Sequence, residues 1–260
     1  MDSSAEIGPY AIVEAHVSIG PRTRVDPFAR ITGWTTIGAD CRIHSSAIVG
    51  DEPQDIAYMG GESYCKLGAG VVVREHVTIH RGATAGTTTI VGDDCYLMAG
   101  SHVGHNCQLS ERVVLADTKL AGFVTVGPRA FLGGVTAVHQ FVRIGELVMV
   151  AGGAGVTRDV PPFMLTDTRG HVVGLNVVGL RRAGLEPAER SELKRAHRLL
   201  YRSGLGFRDA VARLADQVST APGRRLLDFV RVESKRAFAR GAASSRGKKV
   251  NAEDGEPVRE

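Results

Sequence analysis

An aliphatic residue returns at every sixth position from Ile7 through Val13, Ile19, Val25, Ile31, Ile37, Ile43 and Val49. The same phase resumes at Leu67, Val73 and Ile79, then at Val91, Leu97, Val103, Leu109 and Leu115. Ala121 is a weak member, after which one residue is missing and a shifted phase runs Val126, Leu132, Val138, Ile144, Val150 and Val156. Neither a helix, at about 3.6 residues per turn, nor a strand, with its period of about two, produces such a beat. A six-residue period is the signature of a left-handed parallel β-helix, in which three hexapeptides close one triangular coil of about 18 residues. The aliphatic side chain points into the prism. A small or β-branched one four places on (Ala11, Val17, Thr23, Ala29, Thr35, Cys41, Ala47) fits the tight corner. Stacking buries the core, because each coil bonds only to its neighbours.

The interruptions of the beat carry as much information as the beat. Asp51 to Lys66 (DEPQDIAYMGGESYCK) drops the motif and then regains the phase, as a loop thrown out from the wall does. Ala85 to Thr88 is a second, shorter excursion. Long loops on a regular scaffold are usually functional. The coil is expected to stop near Val160-Pro161-Pro162, where two prolines remove ladder donors. Helices are expected from Asn176 to Arg182, from Pro187 to Ser203 with Gly204 as the stop, from Phe207 to Val218 and from Gly223 to Arg240. The chain thus divides into a β-helix over residues 1–166, a C-terminal α-helical domain over 167–240 and a polar tail over 241–260. The tail is expected to be disordered.

Composition removes several classes of function. The formal charge is only +4, and basic residues are not interleaved with aromatics as single-stranded nucleic acid requires, so no nucleic-acid partner is expected. No charged-then-apolar leader opens the chain, and no apolar run reaches the roughly 18 residues that span a bilayer. Cys41, Cys95 and Cys107 fall at small inward positions and Cys65 in the insertion, which points to free buried thiols and a reducing cytoplasm.

Histidine is an unusual residue on a structural wall, yet His76, His80, His102, His105 and His139 fall in the central third of the solenoid. His76 reads as a solvated surface residue. His105 takes the third, outward place of the hexapeptide begun by Val103. One coil on lies Phe123, and a further, shortened coil reaches Gln140, so these three are expected to stack in one column with Gly104, Gly122 and His139 in the next. A histidine beside glycines sets a base next to open backbone N–H groups, an arrangement suited to acyl transfer. The histidine spacings are four (His76, His80) and three (His102, His105). None is five, the spacing with which some β-helix enzymes hold zinc, and no metal is expected.

A series of motifs resembles one family in colinear order over roughly residues 7 to 215: Val77-Thr78-Ile79-His80-Arg81-Gly82, His102-Val103-Gly104-His105, Leu120-Ala121-Gly122, Gly133 to Phe141, Arg158 to Pro162, Gly174-Leu175-Asn176, Gly179 to Arg182 and Tyr201 to Gly204. The chain is similar to the acyl-carrier-protein:UDP-N-acetylglucosamine O-acyltransferases of lipid A biosynthesis, including the loop with Pro53-Gln54-Asp55. The resemblance implies a homotrimer with sites between adjacent prisms. It implies transfer of a 3-hydroxyacyl chain from acyl carrier protein to the sugar 3-hydroxyl, with no cofactor beyond the donor's phosphopantetheine thioester. It implies His105 as general base and Gly122 as the N–H donor to the thioester oxyanion. Asp55 and His102 match contacts to sugar and acyl group, and His80, His139 and Gln140 match positions near the sugar nucleotide. Asn176 matches a ligand contact, and Arg181 and Arg182 match positions that bind the nucleotide from a neighbouring subunit. Gly152 matches the residue that limits acyl length, and without a side chain it should leave the groove long.

The chain departs from the family pattern at particular places. Ala57 stands where the family has a lysine, Phe123 where it has a histidine, Asn106 where an aspartate follows the base, and Val178 in place of a glutamate. Asp167-Thr168-Arg169 replaces a Gly-Asn-His run. These changes keep open a paralogous transferase acting on a different amino-sugar nucleotide. In the helix from Pro187, the cations Arg190, Lys194, Arg198 and Arg202 share one face, with Arg195 beside them and no acid on the stripe. Such a ridge suits an acidic carrier.

Overall fold

The computed structural model describes residues 1–242. Most of the coil is built from two-residue strands, an outward residue followed by an inward aliphatic one: Arg30–Ile31, His102–Val103 and Ala137–Val138 are examples. Side chains alternate faces along a strand, so two residues suffice to send one into the prism and one to solvent. Parallel ladders gather these strands into three walls. The first has ten strands, from Glu6–Ile7 to Val172–Leu175; the second has eight, from Ile12–Val13 to Gly155–Val156; the third has seven, from Ser18–Ile19 to Arg143–Ile144. The inward column is sealed: Val25, Ile31, Ile43, Val49, Ile79, Val103 and Leu132 are all 0% exposed. Each such side chain contributes about 1.5–3 kcal/mol of burial. The left-handed β-helix and the helices after it match the architecture expected of the sequence.

The phase of the repeat needs one correction. Val103 pairs with Leu120 and Leu109 with Val126, so the residue is missing between Leu115 and Leu120 rather than after Ala121. Leu120 is fully buried and Ala121 exposed. The larger side chain takes the core position, because burying it removes more apolar surface from water. Every column expected across this coil therefore shifts by one. Cys65 is corrected too: it lies within the strand Tyr64–Leu67 of the third wall, at a buried small-residue position opposite Thr35 and Thr89.

Pro161 and Pro162 do not end the coil. They sit at a corner, where no ladder donor is needed, and Leu165 of Met164–Thr166 still pairs with Met149. An unforeseen strand, Val172–Leu175, then turns back antiparallel and closes the first wall. Four helices follow: α1 (Val177–Arg182), α2 (Pro187–Arg202), α3 (Phe207–Ala215) and α4 (Ala221–Arg231). Thr220 caps α4 by accepting the Gly223 N–H. The helix stops at Arg231, short of Arg240, because the segment beyond returns to the coil: Phe238 bridges to Asp159 and Gly241 to Val172. Arg143 anchors this return, paired to buried Asp159 at 2.6 Å and lying over the rings of Phe229 and Phe238. Disorder is expected from Gly241, but Gly241 and Ala242 are ordered against Val172; the rest of the tail, 243–260, lies outside the described residues. No helix among the described residues is long and apolar enough to cross a membrane.

Candidate functional site

The second wall carries the histidines outward. His102 leads Val103 in its strand and stacks in register between Thr78 and Lys119. After each strand of this wall the chain turns a corner, and in the corrected register Gly104, Ala121 and His139 form one row, His105, Gly122 and Gln140 the next, and Asn106, Phe123 and Phe141 the third. The third row is left-handed, with φ of 60° at Asn106, 60° at Phe123 and 67° at Phe141. His105 thus stacks on Gly122 rather than on Phe123, because the coil between them is one residue short. The Phe123 ring instead meets the imidazole from the side, edge-on at 5.2 Å, and stacks on Phe141 at 5.0 Å.

The insertion loop folds over this wall and closes a cleft of about 520 Å³. Gln54, Asp55, His80, His102, His105, Lys119, Gly122 and Gln140 line it. Arg81 holds the loop at its start and its middle, donating to the Glu52 carboxylate and to the Tyr58 hydroxyl, with its guanidinium near the Trp34 and Tyr58 rings. Asp55 makes a tight turn, one oxygen accepting the Ala57 N–H, and its other oxygen lies 3.7 Å from His105 Nε2.

Three imidazoles are tethered through Nδ1. His80 Nδ1 donates to the Glu52 carbonyl, and His102 Nδ1 meets Thr78 Oγ1 at 2.7 Å. His105 Nδ1 lies 3.0 Å from Asn106 Oδ1, which also accepts the Ala83 N–H. That oxygen is an acceptor, so His105 Nδ1 carries the proton and Nε2 keeps its lone pair. Burial pushes His80 below the usual imidazole range. It drives His102 down to about 4, with His80, Lys119 and His105 adding to the effect, so both rings are neutral at neutral pH.

Gly122 completes the arrangement. A Cβ there would lie 2.5 Å from both Cε1 and Nε2 of His105, so only glycine lets the ring rest against this stretch of backbone. In the ladder Ala121 N–H donates to Val138 and Phe123 N–H to His105, while the Gly122 N–H between them takes no partner among the described residues. Since Gly122 lines the cleft, that N–H is free to meet an acceptor there.

The other expected residues lie outside the cleft lining. His139 is exposed, its Nδ1 near the Gln140 carbonyl. Gly152 stacks on Gly134 at the corner between first and second walls. Asn176 is committed to the fold: its Oδ1 caps α1 at Gly179 and its Nδ2 donates to Leu147 O. Arg181 and Arg182 are exposed in the last turn of α1, and Arg181 borders a hollow shared with Arg190, Lys194 and His197. Lys119, which does line the cleft, escaped sequence reasoning because the misplaced coil hid its register with His102. No group of three or more metal-type ligands occurs among the described residues.

Comparison with known proteins finds relatives over most of the chain. Residues 159–239 match the family described as Udp N-acetylglucosamine O-acyltransferase, domain 2, and residues 16–51 match the bacterial transferase hexapeptide (six repeats). The acyl-(acyl-carrier-protein)–UDP-N-acetylglucosamine O-acyltransferase of Syntrophobacter fumaroxidans is 43% identical over 251 residues, 92% of this chain and 97% of that protein. Its counterpart in Gloeothece citriformis is 42% identical over 202 residues, 77% of this chain and 73% of that protein. Among solved structures, the UDP-N-acetylglucosamine acyltransferase of Francisella novicida superposes with a TM-score of 0.88 at 30% identity, covering 98% of this chain and 97% of that one. From its hexapeptide walls, its histidine cleft and these relatives, the chain belongs to the acyl-(acyl-carrier-protein)–UDP-N-acetylglucosamine O-acyltransferase family.

Proposed function

We propose that this protein transfers a 3-hydroxyacyl chain from acyl carrier protein to the 3-hydroxyl of UDP-N-acetylglucosamine, the first step of lipid A biosynthesis. The observation that carries the reading is the His105 ring resting on Gly122, a residue whose backbone N–H takes no partner among the described residues. His105 Nε2 takes the proton of the sugar hydroxyl, and the oxygen attacks the thioester carbonyl carbon. The carbonyl oxygen, now negative, accepts the Gly122 N–H; the C–S bond then breaks, and the thiolate takes the proton back from His105. Asn106 does what a carboxylate does elsewhere in the family, fixing the tautomer through a neutral oxygen. Asp55, 3.7 Å from His105 Nε2, faces the acceptor and steadies the imidazolium. His80 Nε2 and His102 Nε2, on neutral rings, hydrogen-bond sugar or acyl groups, and Gln140 contacts the acceptor beside them. His139, Arg181 and Arg182 act from outside the cleft of one chain, at a trimer interface where a neighbour brings the arginines to the nucleotide, while Asn176 holds the start of α1 that presents those arginines. The open backbone at Gly152 leaves room for a long acyl chain. Four buried free cysteines fit a cytoplasmic setting.

The test is product analysis by mass spectrometry with mixed acyl-carrier thioesters and a panel of UDP sugars, run on wild type and His105→Ala. The expected product is 3-O-acylated UDP-N-acetylglucosamine, with a ~10² to 10⁴-fold loss of turnover in the variant. Acylation of another amino-sugar nucleotide instead would favour the paralogue reading, and a tenth or more of wild-type turnover in the variant would place the base elsewhere. Light scattering should report a homotrimer, and a monomer at micromolar concentration would overturn the shared site.

A further inference from the structure

Among the described residues that line the cleft, Lys119 is the only formal cation and Asp55 the only carboxylate. The neighbouring imidazoles, His80 and His102, are tethered and uncharged at neutral pH. Any anion entering this cleft therefore finds one full positive charge on its wall. The loop offers none, since Ala57 stands on it two places after Asp55.

Lys119 is also free to move. Its side chain is 52% exposed, and its Nζ is parked at the corner between first and second walls, 2.6 Å from Asp117 Oδ1 and against the Gly100 carbonyl. Exposed ion pairs of this kind contribute little, so a better acceptor displaces the carboxylate at little cost. Lysine is a compact charge on a flexible stem, well fitted to meet a phosphate as it arrives.

We infer that Lys119 is a specificity-determining residue that leaves Asp117 to bind a phosphate group of a substrate in the His105 cleft. The inference rests on the transferase reading. Two sources of that phosphate exist under it, the diphosphate of the acceptor and the phosphodiester of the donor's pantetheine arm. Asp117 then acts as the competitor that holds the ammonium until the substrate is seated.

Two variants separate this role from a merely structural ion pair. Lys119→Met keeps the length of the stem and removes the charge. Asp117→Asn keeps a residue that tolerates the left-handed corner, where φ is 47°, and removes the competitor. Calorimetric titration with UDP and with 4′-phosphopantetheine reads the contact without turnover. Lys119→Met should weaken one of the two probes about tenfold or more, whereas Asp117→Asn should leave it unchanged or tighten it. Weakening of UDP assigns the acceptor's diphosphate, and weakening of 4′-phosphopantetheine assigns the donor's arm. A change below about twofold for both probes overturns the inference. So does equal weakening by both variants, which is what loss of a structural pair predicts. Turnover of the wild type is measured in parallel: absence of acyl transfer with the binding pattern intact would sink the transferase reading and leave the phosphate contact standing.

Discussion

Replacing Gly122 with alanine tests the core of the site. The added Cβ would sit 2.5 Å from Cε1 and Nε2 of His105, where ordinary contact needs about 3.5 Å. The backbone at Gly122 lies outside the left-handed region, so alanine fits the main chain and the imidazole is what must give way. A retreat of about 1 Å breaks the alignment of Nε2 with the acceptor hydroxyl and strains the bond from Nδ1 to Asn106. Misplacement on that scale costs on the order of 10²-fold in turnover, or about 2.7 kcal/mol of barrier. The wall itself should hold, because Leu120 and Val124 on either side are fully buried and unchanged. Initial rates with an acyl-carrier thioester and UDP-N-acetylglucosamine, together with thermal melts, measure both quantities. Since the substitution acts through the ring, the double variant with His105→Ala should be no worse than His105→Ala within about threefold. Turnover of Gly122→Ala within about threefold of wild type, or full additivity in the double variant, would refute the placement of the base against Gly122.

Two further outcomes are expected. Glu192 on α2 is 3% exposed; burial alone would raise its carboxyl, but bonds from the hydroxyls and N–H groups of Thr220 and Ser219 outweigh that and lower it to about 2. A depressed carboxylate stabilises the fold above its unfolded pKa of about 4.3, and that contribution disappears as pH falls toward about 2. Glu192→Gln should cost about 2–4 kcal/mol in urea unfolding at neutral pH, with the gap to wild type narrowing below pH about 4; a constant gap would show that the ionised form is not what matters. On the outer face of the same helix, Arg195, Arg198 and Arg202 border a shallow groove with Leu199, Ser203 and Gln217, and none is ion-paired among the described residues. Reversing Arg198 and Arg202 to Glu should raise the apparent KM for the carrier thioester and abolish its salt dependence, leaving the KM for the UDP sugar unchanged. Unaltered constants for both substrates would make the stripe a solvated face.

The walls of this protein were legible in the chain because a repeating coil makes core information local. Ile31, Val49, Ile79 and Val103 each declare an inward position within their own hexapeptide, and the next coil merely repeats it. The helix starts at Pro187 and Phe207 were legible for the same reason, being set by local signals. Places where the next coil decides the outcome were not. Whether Leu120 or Ala121 faces the core depends on which fits opposite Val103 and Val138, and the choice moved three rows of the site by one residue. Pro161 reads as a stop in one dimension and is a corner in three. Residues after Arg231 read as helix and are drawn instead into contact with Asp159 and Val172.

The candidate site divides along the same line. His105 was recognisable as a candidate base, since a histidine among glycines on a solenoid wall has little structural purpose, and Gly122 as a candidate N–H donor through the family resemblance. What equips them came only with the tertiary structure: the tether from Asn106, the unpaired Gly122 N–H, the loop that brings Asp55 over His105, and Lys119 beside His102. Apart from the Asn106 tether, which joins neighbours across the left-handed corner, these depend on the coil turning once around or on a loop folding back across the wall. Local pattern was enough for the period, the inward residues and the candidate histidines, because those depend on neighbours a few positions away. The tertiary structure decided which side chains face one another across coils, because stacking converts the length of a coil into a register, and a single missing residue changes every partner above it.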